Sequence, residues 1–191
     1  LTLQVFQAGA VGVVVLLVLA GCASSERVLF EEYTSAGLQE YSAGKYSRAE
    51  RYLIRAAQKA EALGPQEHGR SLNNLGELAR RRGNTREAER LFLRSLAVKE
   101  AGLGADHPDV ATTLNNLAQV YVGQQRDAEA VALLERSLRI QEGALDDEHP
   151  ALRRTLTALA ELYRRLGRDE DAFIAEVRKR LLREEDRAEG R

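Results

Sequence analysis

The sequence predicts an all-α fold in which helix pairs stack into a solenoid, and three observations carry that prediction. Leu72-Asn73-Asn74-Leu75 returns as Leu114-Asn115-Asn116-Leu117 and, weakened, as Leu156-Thr157-Ala158-Leu159, a step of 42 residues each time. A fixed step of this size marks a repeat array, whose units cannot bury their apolar faces without neighbours. Each copy also holds runs of apolar and small residues at helical spacing. Finally, Gly44 and Gly83 stand where one run must stop, and Pro108 and Pro150 where another begins, as expected of helix breakers and first-turn prolines.

The chain begins with 25 uncharged residues, Leu1 to Ser25, containing a ten-residue apolar run from Val11 to Ala20. That length suits the core of a secretory signal better than a spanning helix, which needs ~20 apolar residues. The run ends at Leu19-Ala20-Gly21-Cys22. Small residues before a lone cysteine resemble the lipobox of bacterial lipoproteins, although no Lys or Arg precedes the run. The resemblance implies cleavage before Cys22, diacylglycerol on its sulfur, and, with Ala rather than Asp at position 23, an outer-membrane anchor facing the periplasm. Anchoring takes more than one acyl chain, at about 0.8 kcal/mol per buried CH₂, and a lipoprotein cysteine supplies two or three chains. Residues 1–21 are thus read as signal and 22–28 as lipidated cysteine and tether. Cys22 is the only cysteine, so no disulfide forms within the chain.

The array is read over 29–182, with units at about 30–68, 69–110, 111–152 and 153–182. The first unit is divergent: Gly44, Tyr46 and Ala49 align with Gly83, Thr85 and Ala88 at a step of 39, the deletion falling near Gly64-Pro65. Its helices use Leu29, Tyr33, Ala36 and Gly37, then Ala49, Tyr52, Leu53 and Ala56. In the second unit Leu72, Leu75, Gly76 and Ala79 share one face, and Ala88, Leu91, Phe92 and Ser95 the next. The third repeats this with Leu114, Leu117, Ala118 and Tyr121, then Ala130, Leu133, Leu134 and Ser137. Gly76, Ala88, Ala118 and Ala130 are small because backbones must cross closely there. The fourth unit starts normally with Leu156, Leu159, Ala160 and Tyr163, but its last helix moves the apolar stripe to Phe173, Ile174, Val177 and Leu181. That helix reads as a terminal cap with a polar outer face, followed by a charged tail over 183–191.

Small residue after the second leucine, aromatic at the end of the first helix, glycine at the turn, alanine in the second helix: this pattern resembles the tetratricopeptide repeat. The usual period of that repeat is ~34 residues. The longer units here, with Gly104-Ala105-Asp106-His107-Pro108-Asp109-Val110-Ala111 leading into Leu-Asn-Asn-Leu, are similar to the kinesin light chain type. The resemblance covers residues 30 to about 180 and implies a right-handed superhelix of about four helix-turn-helix repeats. It implies a partner-binding scaffold rather than any particular partner, because one fold serves many functions.

Composition fits an ordinary folded domain after the signal, with 44% apolar and 30% charged residues and a formal net charge of -1. Nothing in that balance draws the chain to nucleic acid or an anionic surface. His68, His107 and His149 are read as lying in connections, the latter two at equivalent positions that suit a turn contact better than metal or proton-transfer chemistry. No Gly-rich phosphate loop, Cys-His pair or nucleophile elbow accompanies them. The sequence therefore points to no catalytic residue, cofactor, metal or small-molecule substrate.

What remains is a binding face. By the resemblance, the first helix of each pair lines the concave side, which places Arg70, Asn73, Glu77, Arg80 and Arg81, then Thr112, Asn115, Gln119 and Val122, then Arg154, Thr157, Glu161, Arg164 and Arg165 in a groove. Glu31, Thr34, Leu38 and Tyr41 continue it in the first unit. Asparagine amides can mimic peptide groups and arginines can fork carboxylates, so the groove suits an extended peptide. Asn73 and Asn115 also suit helix-to-helix hydrogen bonds between units. The reading is a non-catalytic scaffold or adaptor, lipid-anchored in the bacterial envelope and binding a protein or peptide. Rivals are an assembly factor for a pilus or secretion system, an enzyme accessory subunit or peptidoglycan-hydrolase regulator, and a cytoplasmic signalling adaptor if the first segment is not a signal.

Overall fold

The computed structural model describes residues 25–145 and 149–189, with side chains described as far as residue 180. The expected signal and Cys22 lie outside the described residues. Among the described residues the chain forms eight helices and no strand: α1 over 25–42, α2 Tyr46–Leu63, α3 Pro65–Arg81, α4 Thr85–Leu103, α5 Pro108–Gly123, α6 Asp127–Ala144, α7 Pro150–Arg165 and α8 Asp169–Glu189. From α2 onward each helix packs against the next in the chain, and α3 also touches α5. This is an α-solenoid of four pairs, with the first helices of successive pairs side by side.

The helix pairs are set by the small residues read from the sequence. A Cβ added to Gly76 would lie 2.8 Å from the ring of Phe92, so glycine there lets α3 lie against the buried Phe92 of α4. Ala88, Ala118 and Ala130 are buried at the corresponding crossings. A continuous core runs from Leu72 and Phe92 through Leu117, Tyr121 and Leu134 to Leu156 and Leu159. The turn between helices needs one left-handed residue in every unit: Gly44, Gly83 and Gly167 take φ of 71°, 76° and 72°, and Gln125 takes 62° in the third. Glycine does this without steric cost, whereas a side chain costs about 1 kcal/mol or more.

Helices open at Pro108 and Pro150 as read from the sequence, so it is the unit boundaries that are a few residues late. The unit boundaries at 68, 110 and 152 fall inside α3, α5 and α7, because Pro65, Pro108 and Pro150 each sit in a first turn. Proline is pre-set for that position and lacks an N–H that would have no partner there. His107 and His149 cap their helices: Nδ1 of each accepts from the backbone N–H two residues on, Asp109 at 3.1 Å and Ala151 at 3.2 Å. His68 is not in a connection but within α3.

The last helix departs from the expected polar cap. It runs unbroken to Glu189, since no glycine or proline interrupts it after Gly167, and so takes in most of the stretch read as a tail. Ala172 and Ala175 join the core, while Phe173 and Ile174 are 68% and 50% exposed. At 100° per residue the stripe of Phe173, Ile174 and Val177 points nearly opposite to Ala172 and Ala175. Small residues let α8 approach α7, and the larger ones are left facing outward.

Candidate functional site

A cavity of about 660 Å³ lies along the first helices, where α5 and α7 run side by side. Its walls carry Arg80, Thr112, Asn115, Gln119, Val122, Arg154, Glu161 and Arg165, eight of the residues assigned to the groove from the sequence. Ala118, Ala158 and Leu162 supply apolar surface and Asn116 a further amide. Arg70, Asn73, Glu77, Arg81, Thr157 and Arg164 are not among its walls, nor are Glu31, Thr34, Leu38 and Tyr41 of the first unit.

The two asparagines join units to one another. Asn116 Nδ2 donates to Asn73 Oδ1 at 3.1 Å, and Asn115 Nδ2 donates to Thr155 Oγ1 at 3.1 Å. Of the two roles the sequence left open for these amides, the structure displays the helix-to-helix bond. Asn115 Oδ1 is buried without a partner among the described residues. Asn116, the second amide of the motif, was passed over in the sequence, although its repetition at Asn74 and Asn116 was the available signal.

The cations differ in what holds them. Arg70 donates to Glu31 at 2.5 Å and stacks over the Phe30 ring at 4.6 Å. Arg80 forks Glu77 through two bonds of 2.7 Å, Arg81 reaches the same carboxylate at 3.2 Å, and the Tyr41 hydroxyl donates to it at 2.8 Å. Burial alone would raise the Glu77 carboxyl, but the hydrogen bonds from Arg80 and Tyr41 outweigh it and hold the group below the ordinary carboxylate value. Arg165 pairs with Asp127 at 2.8 Å and Arg164 with Glu176 at 3.1 Å. Thr157 is exposed, its hydroxyl turned to the Arg153 carbonyl at 2.7 Å. Thr112, Gln119, Arg154 and Glu161 are exposed and have no polar side-chain partner among the described residues.

A second concavity of about 550 Å³ opens between α2 and α4, floored by Leu72, Leu75 and Leu78, with His68 at its edge. Among the described residues no group of three metal-ligating side chains converges, and no helix is long and apolar enough to cross a membrane.

Stacked helix pairs with a groove along their first helices define an α-solenoid of the repeat-scaffold class. The sequence profile of the tetratricopeptide repeat matches residues 33–101, 67–143 and 109–176, and the chain belongs to that family. Solved structures share the fold. BtubC (BKLC) from P. vanneervenii superposes with a TM-score of 0.75 at 20% identity, over 85% of this chain and 66% of that one. A putative kinesin light chain with nearly identical TPR-like repeats from Podosopora anserina gives 0.64 at 22% identity, over 82% and 76%. The apo form of RapI gives 0.74 at 17% identity, over 84% and 57%. The chain thus spans just under two thirds of the first of these and less of the last. No curated protein matches it significantly.

Proposed function

We propose that this chain is a non-catalytic scaffold or adaptor that holds a protein or peptide partner in the groove between α5 and α7. The observation that carries the reading is the row of polar side chains there, Thr112, Gln119, Arg154 and Glu161, left without internal partners around a cavity of about 660 Å³. On α3 charges of the same kind are consumed by ion pairs, as at Arg70 and Glu77. Membership of the tetratricopeptide repeat family supports a binding role.

The anchor is part of the same proposal. Leu19-Ala20-Gly21-Cys22 supports lipidation at Cys22, placing the array in the bacterial envelope on the periplasmic side of the outer membrane. A photo-crosslinking residue at Gln119 in the producing cell should capture a partner that one at Arg51, on α2, does not. In the same cells the mature protein should begin at Cys22 with added acyl mass, and Cys22→Ala should lose it. Capture independent of the crosslinker's position would remove the groove from the reading, and a mature chain beginning elsewhere would remove the anchor.

A further inference from the structure

Helices α3 and α7 carry one charge signature twice. Arg70, Glu77, Arg80 and Arg81 recur as Arg154, Glu161, Arg164 and Arg165. In α3 every member is satisfied from within: Arg70 by Glu31 of α1, and Glu77 by Arg80, Arg81 and the Tyr41 hydroxyl. In α7 the surroundings have changed. The residue one repeat before Arg154 is Thr112, where Arg70 has Glu31. Val122 stands in the same relation to Glu161 as Tyr41 does to Glu77. Arg164 and Arg165 are drawn away by Glu176 of α8 and Asp127 of α6. Arg154 and Glu161 remain exposed, both on the wall of the cavity, with no polar partner among the described residues.

The chain therefore shows in α3 what these two positions accept. The arginine takes a carboxylate delivered from alongside, and the glutamate takes a cation. We infer that the α5–α7 groove selects an extended peptide segment bearing one acidic and one basic side chain three residues apart, the acid on Arg154 and the base on Glu161. The inference rests on the groove reading above. Seven residues of helix put the two groups about 10 Å apart along α7 at a rise of 1.5 Å each; a peptide in the extended polyproline II form, with three residues per turn and ~3.1 Å per residue, spans nearly that distance in three residues and keeps both side chains on one face. Between the two charges Ala158 offers small apolar surface, and Gln119 on α5 is free to bond the peptide backbone. A segment with two acids would meet Glu161 and be repelled, which separates this selection from simple attraction of arginines for acidic chains.

The test pans a random twelve-residue peptide display library against the full chain, with Gln119→Trp as a variant that fills the groove from an exposed position. Peptides that bind the parent and not Gln119→Trp should carry opposite charges three residues apart. Synthesised singly, they should bind about two- to fivefold more weakly to Arg154→Ala and to Glu161→Gln, more so at low salt than at high, as expected of one exposed ion pair. Panning Arg154→Glu should select two bases at that spacing instead. Groove-dependent peptides indifferent to Arg154→Ala and Glu161→Gln would overturn the charge rule and leave the groove standing. Finding no peptide sensitive to Gln119→Trp, with circular dichroism showing each variant folded, would overturn both.

Discussion

Two joints between neighbouring units are copies of one design with one residue changed. At the joint of α6 with α7, the Thr155 hydroxyl accepts from Asn115 and donates to Gln141 Oε1 at 2.9 Å, with the Ala151 carbonyl at 3.1 Å. At the joint of α4 with α5, Thr113 holds the place of Thr155, and Lys99 the place of Gln141. Lys99 is 3% exposed, its Nζ donating to Thr113 Oγ1 at 2.9 Å and to the Asp109 carbonyl at 3.0 Å. Its stem packs on Gly69, where a Cβ would come within 2.5 Å of it. An ammonium is thus buried beside the first turn of a helix, the end whose dipole repels cations, with neutral acceptors and only the nearby Asp109 carboxylate in its favour. The stacking geometry is therefore set by packing. The polar rung across a joint can then vary in charge provided its acceptors are in place.

The largest effect expected breaks both joints at once. Leu117 lies on α5 at the centre of the shared core, and Leu117→Ala should cost roughly 2 to 5 kcal/mol, a large part of a stability of ~5 to 15 kcal/mol. Ile174→Ala, on the outward stripe of α8, should stay within about 0.5 kcal/mol. Urea unfolding of both variants checks this, and equal losses would mean that the outward stripe is packed after all.

A smaller effect of opposite sign is expected at the joint of α4 with α5. Lys99→Gln gives the second joint the chemistry of the third, and should raise stability by about 1 kcal/mol at neutral pH by removing a buried charge. Burial holds the Lys99 ammonium below the 10.5 of a free lysine, with Asp109 working against that shift. Between its folded-state value and 10.5 the unfolded chain binds more protons than the folded one, so the parent gains stability as pH rises through that window. The advantage of Lys99→Gln should therefore shrink as pH rises from 7 toward 10. Unfolding midpoints that keep a constant gap across that range would show that Lys99 does not titrate differently in the two states.

The fold was legible because burial writes itself into a repeated pattern. Leucines and small residues at fixed register positions reported the core directly, whereas the groove positions came from the resemblance to the tetratricopeptide repeat, and only part of them line the cavity between α5 and α7. Partner choice was not legible. Nothing in Glu161-Leu162-Tyr163-Arg164-Arg165 distinguishes it from Glu77-Leu78-Ala79-Arg80-Arg81 as a charge pattern; the difference lies in Asp127 and Glu176, brought up by α6 and α8. Lys99 was missed for a related reason. Between Val98 and Glu100 it reads as one more solvated helix charge, and only its position opposite a buried threonine identifies it. The stripe on α8 was seen in the sequence but given the wrong direction, since alanines too can form the packed face.

The smallest effect concerns the first joint, where the polar rung is missing. Ser71 occupies the place of Thr113 and Thr155, while Ala60, at the 39-residue step, stands where Lys99 and Gln141 stand in the other joints. The Ser71 hydroxyl is buried without a partner among the described residues. A buried hydroxyl that bonds nothing is a cost, and alanine is also the better helix former, so Ser71→Ala should raise stability by about 0.5 kcal/mol. The controls are serines of the same size and burial that do have partners. Ser95 Oγ donates to the Gly69 carbonyl at 2.7 Å and Ser137 Oγ to the Ala111 carbonyl at 3.1 Å, equivalent bonds in successive units. Ser95→Ala and Ser137→Ala should each lose about 1 kcal/mol. One substitution made at three buried positions thus changes sign with the presence of an acceptor. If Ser71→Ala lost as much in urea as Ser95→Ala, its hydroxyl would have a partner such as an ordered water, and the first joint would carry a rung like the other two.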